Sequence, residues 1–237
     1  MRDHPGQQVP ALIALLAGLL PIFAVHAAWL LNLWAGANLE AEFLCFPYTD
    51  GCVSVSRAVR SGPGLHVFRA IMLPTAVLLL FSWLLLPAWF RKLGLNQRGT
   101  ITGLGLIGAV FLVIYSTWLG TEGSWYGWLR RYGVIFYFGC TALALLLLLN
   151  VLWRQRTQLL EGRLRVPIEW LAFLVAWQWL VGVFAAAKRL VFSDPAFIDR
   201  LENITEWWFA LPMSLSFVVL AVMYDRSGFR LRFDLRD

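Results

Sequence analysis

Arg57, His66, Arg69, Lys188, Arg189 and Glu206 are the side chains whose types and positions suit work on an anion at a membrane boundary. Arginine presents a planar fork of N–H donors that matches phosphate, and partial desolvation strengthens each contact. His66 and Arg69 stand three apart and so share a helix face, as do Glu202 and Glu206, four apart. In the binding reading these cations, with Ser54 beside them, hold a phosphate or other anionic head group while Glu206 orients one of them. In the opposing reading Arg69, Lys188 and Arg189 extend their stems to the interface, and Glu206 neutralises one of them.

Nucleophilic chemistry has thinner support. Ser54 or Ser56 with His66 and Glu206 would supply nucleophile, base and carboxylate for a hydrolase or acyl transferase. Neither a GxSxG elbow nor an HExxH zinc motif is present, and the chain has three His. His26, inside an apolar run, fits an interhelical hydrogen-bonding role better than proton relay. Cys45 and Cys52 share one loop and can pair in an oxidising compartment; with no His beside them they make a poor zinc signature. No metal and no cofactor are expected.

The elements that must carry these residues follow from composition. Of 237 residues 59% are hydrophobic and 14% charged, and the mean hydropathy is +0.67, too apolar for a soluble domain. The expectation is an all-α membrane protein: one domain over 1–237, a bundle of six transmembrane helices at about 9–34, 66–90, 100–119, 132–153, 166–191 and 204–224. The one longer loop lies between the first two spans and carries Cys45 to Arg60. Within it Val53, Val55 and Val59 alternate with polar residues over too short a run to separate strand from helix. A cleaved signal peptide is the rival reading of the first span, through Val25-His26-Ala27. Against it, the apolar run continues through Trp29 to Trp34.

Gly103, Gly105 and Gly108 match GxGxxG inside the third span. No strand precedes them, so a dinucleotide site is rejected and close helix packing expected instead, with Gly99 and Gly103 four apart as the contact pair. The loop at 120–131, with Trp125, Tyr126 and Trp128, is expected at the membrane interface. The net charge of +6 lies in short clusters between apolar blocks, which excludes a phosphate-tracking face and hence nucleic acid. Twelve Lys and Arg fall in the termini and even-numbered loops against seven in the odd-numbered loops. The positive-inside rule therefore places both termini in the cytoplasm, the long loop outside it, and the tail along the anionic cytoplasmic surface.

The segment Val53-Ser54-Val55-Ser56-Arg57-Ala58-Val59, the Gly62-Pro63 break and Phe68-Arg69 opening the second span resemble a known family. It is the six-span family of the damage-regulated autophagy modulators, the FGF-receptor-activating proteins and the Golgi cofactor for GPI-anchor lipid remodelling. Glu122 and Glu206 resemble family positions less specifically, and the proline that often leads the serine motif stands further upstream here, at Pro47. The resemblance implies lipid handling and no established catalytic residue. The expected function is binding of lipid head groups or lipid-linked glycans at the extracytoplasmic face, assisting lipid remodelling or distribution. The partners are membrane lipid and, in one alternative, another membrane protein for which this chain is a structural subunit. The enzyme reading through Ser56 and His66 is the other alternative.

Overall fold

The structure, a computed structural model, describes residues 8–36, 45–96 and 99–231. Six helices are long and apolar enough to cross a membrane: α1 (Val9–Trp34), α4 (Gly62–Lys92), α5 (Thr100–Trp118), α6 (Ser124–Arg154), α7 (Arg165–Val191) and α8 (Pro195–Arg226). Between α1 and α4 lie two short helices, α2 (Pro47–Asp50) and α3 (Val55–Val59). The chain is a multi-pass α-helical membrane protein, as composition led one to expect. Glu40, Glu42, Arg98 and the tail from 232 onward lie outside the described residues.

Three helices begin earlier than hydropathy alone suggests, because polar and aromatic residues extend them beyond the apolar core. Pro63 in the first turn starts α4 with a preset φ. Asp194 caps α8, its carboxylate accepting from the Ala196 amide at 3.1 Å, with Pro195 at the first helical position. The aromatic stretch expected as an interfacial loop is the first turn of α6, with Trp125 and Trp128 still largely exposed. The alternating Val/Ser segment is resolved as helix: Ser54 caps α3 by accepting from the Arg57 amide at 3.2 Å.

The helices form a ring in the order α1, α4, α5, α6, α7, α8, with α8 returning to α1 and with α6 and α8 meeting sparsely across it. Close approach in the third span occurs further along the helix than the spacing placed it. Gly99 and Gly103 face open space, whereas a Cβ at Gly105 would run into the Trp83 ring of α4, and one at Gly108 into Thr141 of α6. Deep in the end away from α2 and α3 the ring is filled: Trp89, Phe90, Leu148, Leu152, Leu164 and Tyr224 are fully buried. The opposite end is not filled in the same way, and the candidate site lies there.

Candidate functional site

A cavity opens between α1, α4, α5, α6 and α8 beneath α2 and α3, with about 740 Å³ of empty space when the open solvent at its mouth is included. Its deeper wall is apolar, from Pro21, Met72, Leu211 and Met213, and its polar end gathers His26, Tyr48, Ser56, Tyr115, Tyr137 and Glu206. From Glu206 to Ser214, both lining residues, the α8 wall runs about 12 Å along the helix axis. An apolar shaft with a few convergent polar groups is the general form of a small-ligand site.

The roof is strapped to the bundle by one face of α8. Asn203 donates to the Gly51 carbonyl at 2.7 Å, Trp207 to Val53 at 2.9 Å, Trp208 to Tyr48 at 2.9 Å and Arg200 to Asp50 at 3.2 Å. Residues 200, 203 and 207 are spaced three and four apart, so they present side by side. Gly51 ends α2 at φ +64°, and a Cβ there would strike the Arg200 carbonyl, so glycine is required both by conformation and by close approach. From the other side Asn32 of α1 donates to the Ala58 carbonyl at 2.9 Å and accepts from the Gly64 amide at 2.8 Å. Cys45 and Cys52 form a disulfide that closes the segment holding α2.

His26 and Tyr48 share a defined proton arrangement. His26 Nδ1 lies 2.7 Å from the Ile22 carbonyl, which can only accept, so Nδ1 carries the hydrogen; Nε2 then accepts from the Tyr48 hydroxyl at 3.1 Å. Burial pushes the Tyr48 phenol up to about 12, which keeps it a neutral donor. Trp207 packs edge-on to His26, with ring centroids 5.4 Å apart, and lies against Tyr48 at 5.2 Å. His26 is thus a satisfied interhelical hydrogen-bonder at the cavity wall.

Glu206 borders the cavity beside Val55 and Ser56 of α3 and keeps an exposed surface. It forms no salt bridge among the described residues, although Arg57 acts on it from farther off. Its neighbour one turn earlier behaves otherwise: Glu202 takes Lys188 at 3.2 Å and Arg189 at 3.0 Å.

The residues singled out from the sequence divide accordingly. Glu206 and Ser56 line the cavity, and Ser54, whose hydroxyl lies 3.3 Å from that of Ser56, caps the helix beside it. Arg57 instead reaches Asp199 at 2.7 and 2.9 Å and Asn203 at 3.2 Å. Arg69 donates to the Leu119 carbonyl and, at 3.2 Å, to the Thr121 hydroxyl, tying α4 to the end of α5. Lys188, buried, also donates to Ala185 at 2.9 Å. His66 is exposed and is not among the residues lining the cavity. The cations therefore do not converge, and each of Arg57, Arg69, Lys188 and Arg189 already has an intramolecular acceptor. His26, Tyr48, Tyr115, Tyr137 and Trp207 were not assigned to a ligand site from the sequence. The one available signal was that an apolar run containing His and Asn needs interior partners for them.

Comparison of the chain with family models, curated proteins and solved structures returns no match.

Proposed function

We propose that this protein binds a membrane lipid, taking its polar end at Glu206, Ser56 and the aromatic groups beneath the roof and its hydrocarbon in the shaft below. In this reading it assists remodelling or distribution of that lipid on the extracytoplasmic side of the membrane. One observation carries it: the bundle keeps an open, mostly apolar cavity in which most of the polar groups, Glu206, Ser56, His26 and Tyr48 among them, lie toward the roof, with Ser214 further down, the two-part chemistry of an amphiphile. Two further points support it. The excess of Lys and Arg in the termini and even-numbered loops sets both termini in the cytoplasm and the roof outside it. The Val53 to Val59 segment that resembles the lipid-handling six-span family forms part of that roof, capped by Ser54.

The test is lipid retention. Protein extracted in mild detergent should carry one lipid per chain in native mass spectrometry. Ala210→Trp, which fills the shaft from a lining position, should remove it without unfolding the chain. Equal retention by the two proteins would sink the proposal.

A further inference from the structure

We infer that the cavity selects an ammonium-bearing amphiphile, a long-chain amine or a lipid with an amine head, with Glu206 as its counter-ion. The inference rests on the cavity being a lipid site and adds the chemistry of the head group. Glu206 borders the cavity, and no Lys or Arg lies among the described residues that line it. Such a carboxylate in mostly apolar surroundings attracts a cation and repels a phosphate more strongly than it would in water.

The cations that would be needed for an anionic head are engaged elsewhere: Arg57 with Asp199, Lys188 and Arg189 with Glu202, and Arg69 with the end of α5. Arg130 acts electrostatically on Tyr115, as does Glu206, but it is not a lining residue.

The rings around the carboxylate strengthen the case. Tyr48, Tyr115, Tyr137 and Trp207 all border the same space. The faces of such rings carry negative potential, and a carboxylate with several aromatic faces is the arrangement that holds primary and quaternary ammonium groups. Tyr48 already spends its hydroxyl hydrogen on His26, so it has no donor left for an anion.

The experiment uses the full chain in amphipol and three probes of equal chain length: dodecylammonium, dodecanol and dodecyl phosphate, titrated by equilibrium dialysis. Dodecylammonium should saturate at one per chain and bind at least about 10-fold more tightly than dodecanol, a gap of about 1.4 kcal/mol. Dodecyl phosphate should bind most weakly of the three. Glu206→Gln should reduce the preference for the amine over dodecanol to under about threefold.

Equal binding of amine and alcohol, tighter binding of the phosphate, or an undiminished preference in Glu206→Gln would overturn the inference. If Glu206→Gln does not fold, the ranking of the three probes on the unaltered chain decides alone. If instead no probe saturates, or Ala210→Trp binds all three as the unaltered chain does, the lipid-cavity reading itself has failed.

Discussion

The two ends of the bundle use their polar groups differently. At the end away from α2 and α3, Trp89 donates to Ser227 at 2.9 Å, Ser227 to the Tyr224 carbonyl at 3.0 Å, and Tyr224 to the Ser82 carbonyl at 3.3 Å. Large rings fill the space around that chain of bonds, among them Trp83, whose buried indole N–H is unpartnered. At the other end the polar groups divide in two. Arg200, Asn203, Trp207 and Trp208 are consumed in holding the roof, whereas Glu206 and Ser56 are left bordering open space. A polar group bordering open space is available to a ligand, whereas one already bonded within the protein is not. The difference therefore separates the end that stabilises the ring from the end that is kept for a ligand.

The comparison breaks most sharply at Trp89. Replacing this fully buried side chain by Ala should cost about 3–5 kcal/mol, because the cavity it leaves cannot collapse between packed helices. Denaturation in mixed micelles should report that loss. Any chain that still folds should retain lipid as before, since Trp89 does not line the cavity. A loss of lipid without a loss of stability would mean that the two ends are not separate.

Next in size is the disulfide. Cys45 and Cys52 are seven apart in sequence, and opening so short a loop should release roughly 2–3 kcal/mol of constraint on the unfolded segment. Cys45→Ser should raise trypsin cleavage at Arg57 and Arg60 and speed amide exchange across α2 and α3, while exchange around Trp89 and Tyr224 stays slow. Uniform loosening of both ends would contradict this. Trp207→Phe keeps a ring against His26 and Tyr48 but removes the donor to Val53. It should cost about 1–2 kcal/mol, read as faster exchange at the roof with little change in global denaturation.

Much of the fold was legible in the sequence and little of the site was. The six apolar runs announce themselves by length, and an apolar helix has no other stable place for its surface. Helix starts at Pro195 and Ser124 were missed because polar residues extend a helix without changing its hydropathy; the caps that mark them, such as Asp194, are local and were there to be read. The partner of each charge was not legible. Arg57 and Asp199 are joined only once α3 meets α8, and nothing along the chain says that Glu202 takes the cations while Glu206, one turn on, borders the cavity. Asn32 is an intermediate case. It lies in an apolar run, where an amide must find partners, so its importance could be inferred; Asn203, among charged residues, carries no such signal, and neither position shows that both hold the roof. Gly105 and Gly108 show the limit of spacing rules: the glycines at close approach are those that face Trp83 and Thr141, which depends on how the helices are rotated.

The smallest expected effect concerns Arg57 and sharpens what the roof end is for. The guanidinium and Asp199 are both partly exposed, at 35% and 53% of their side-chain surface, so solvent screens the pair and its coupling in a double-mutant cycle of Arg57→Gln and Asp199→Asn should fall below about 1 kcal/mol. The cycle has a second readout. If Arg57 were poised to hold an anionic head group, Asp199→Asn would free it and raise the affinity for dodecyl phosphate. With Arg57 acting as a strap between α3 and α8, also bonded to Asn203, the freed guanidinium remains outside the cavity lining and that affinity stays flat. A flat response places the cations with the scaffold and leaves Glu206 as the charge that meets the ligand; a rise would return the site to the anionic head group that the arginine and lysine positions first suggested.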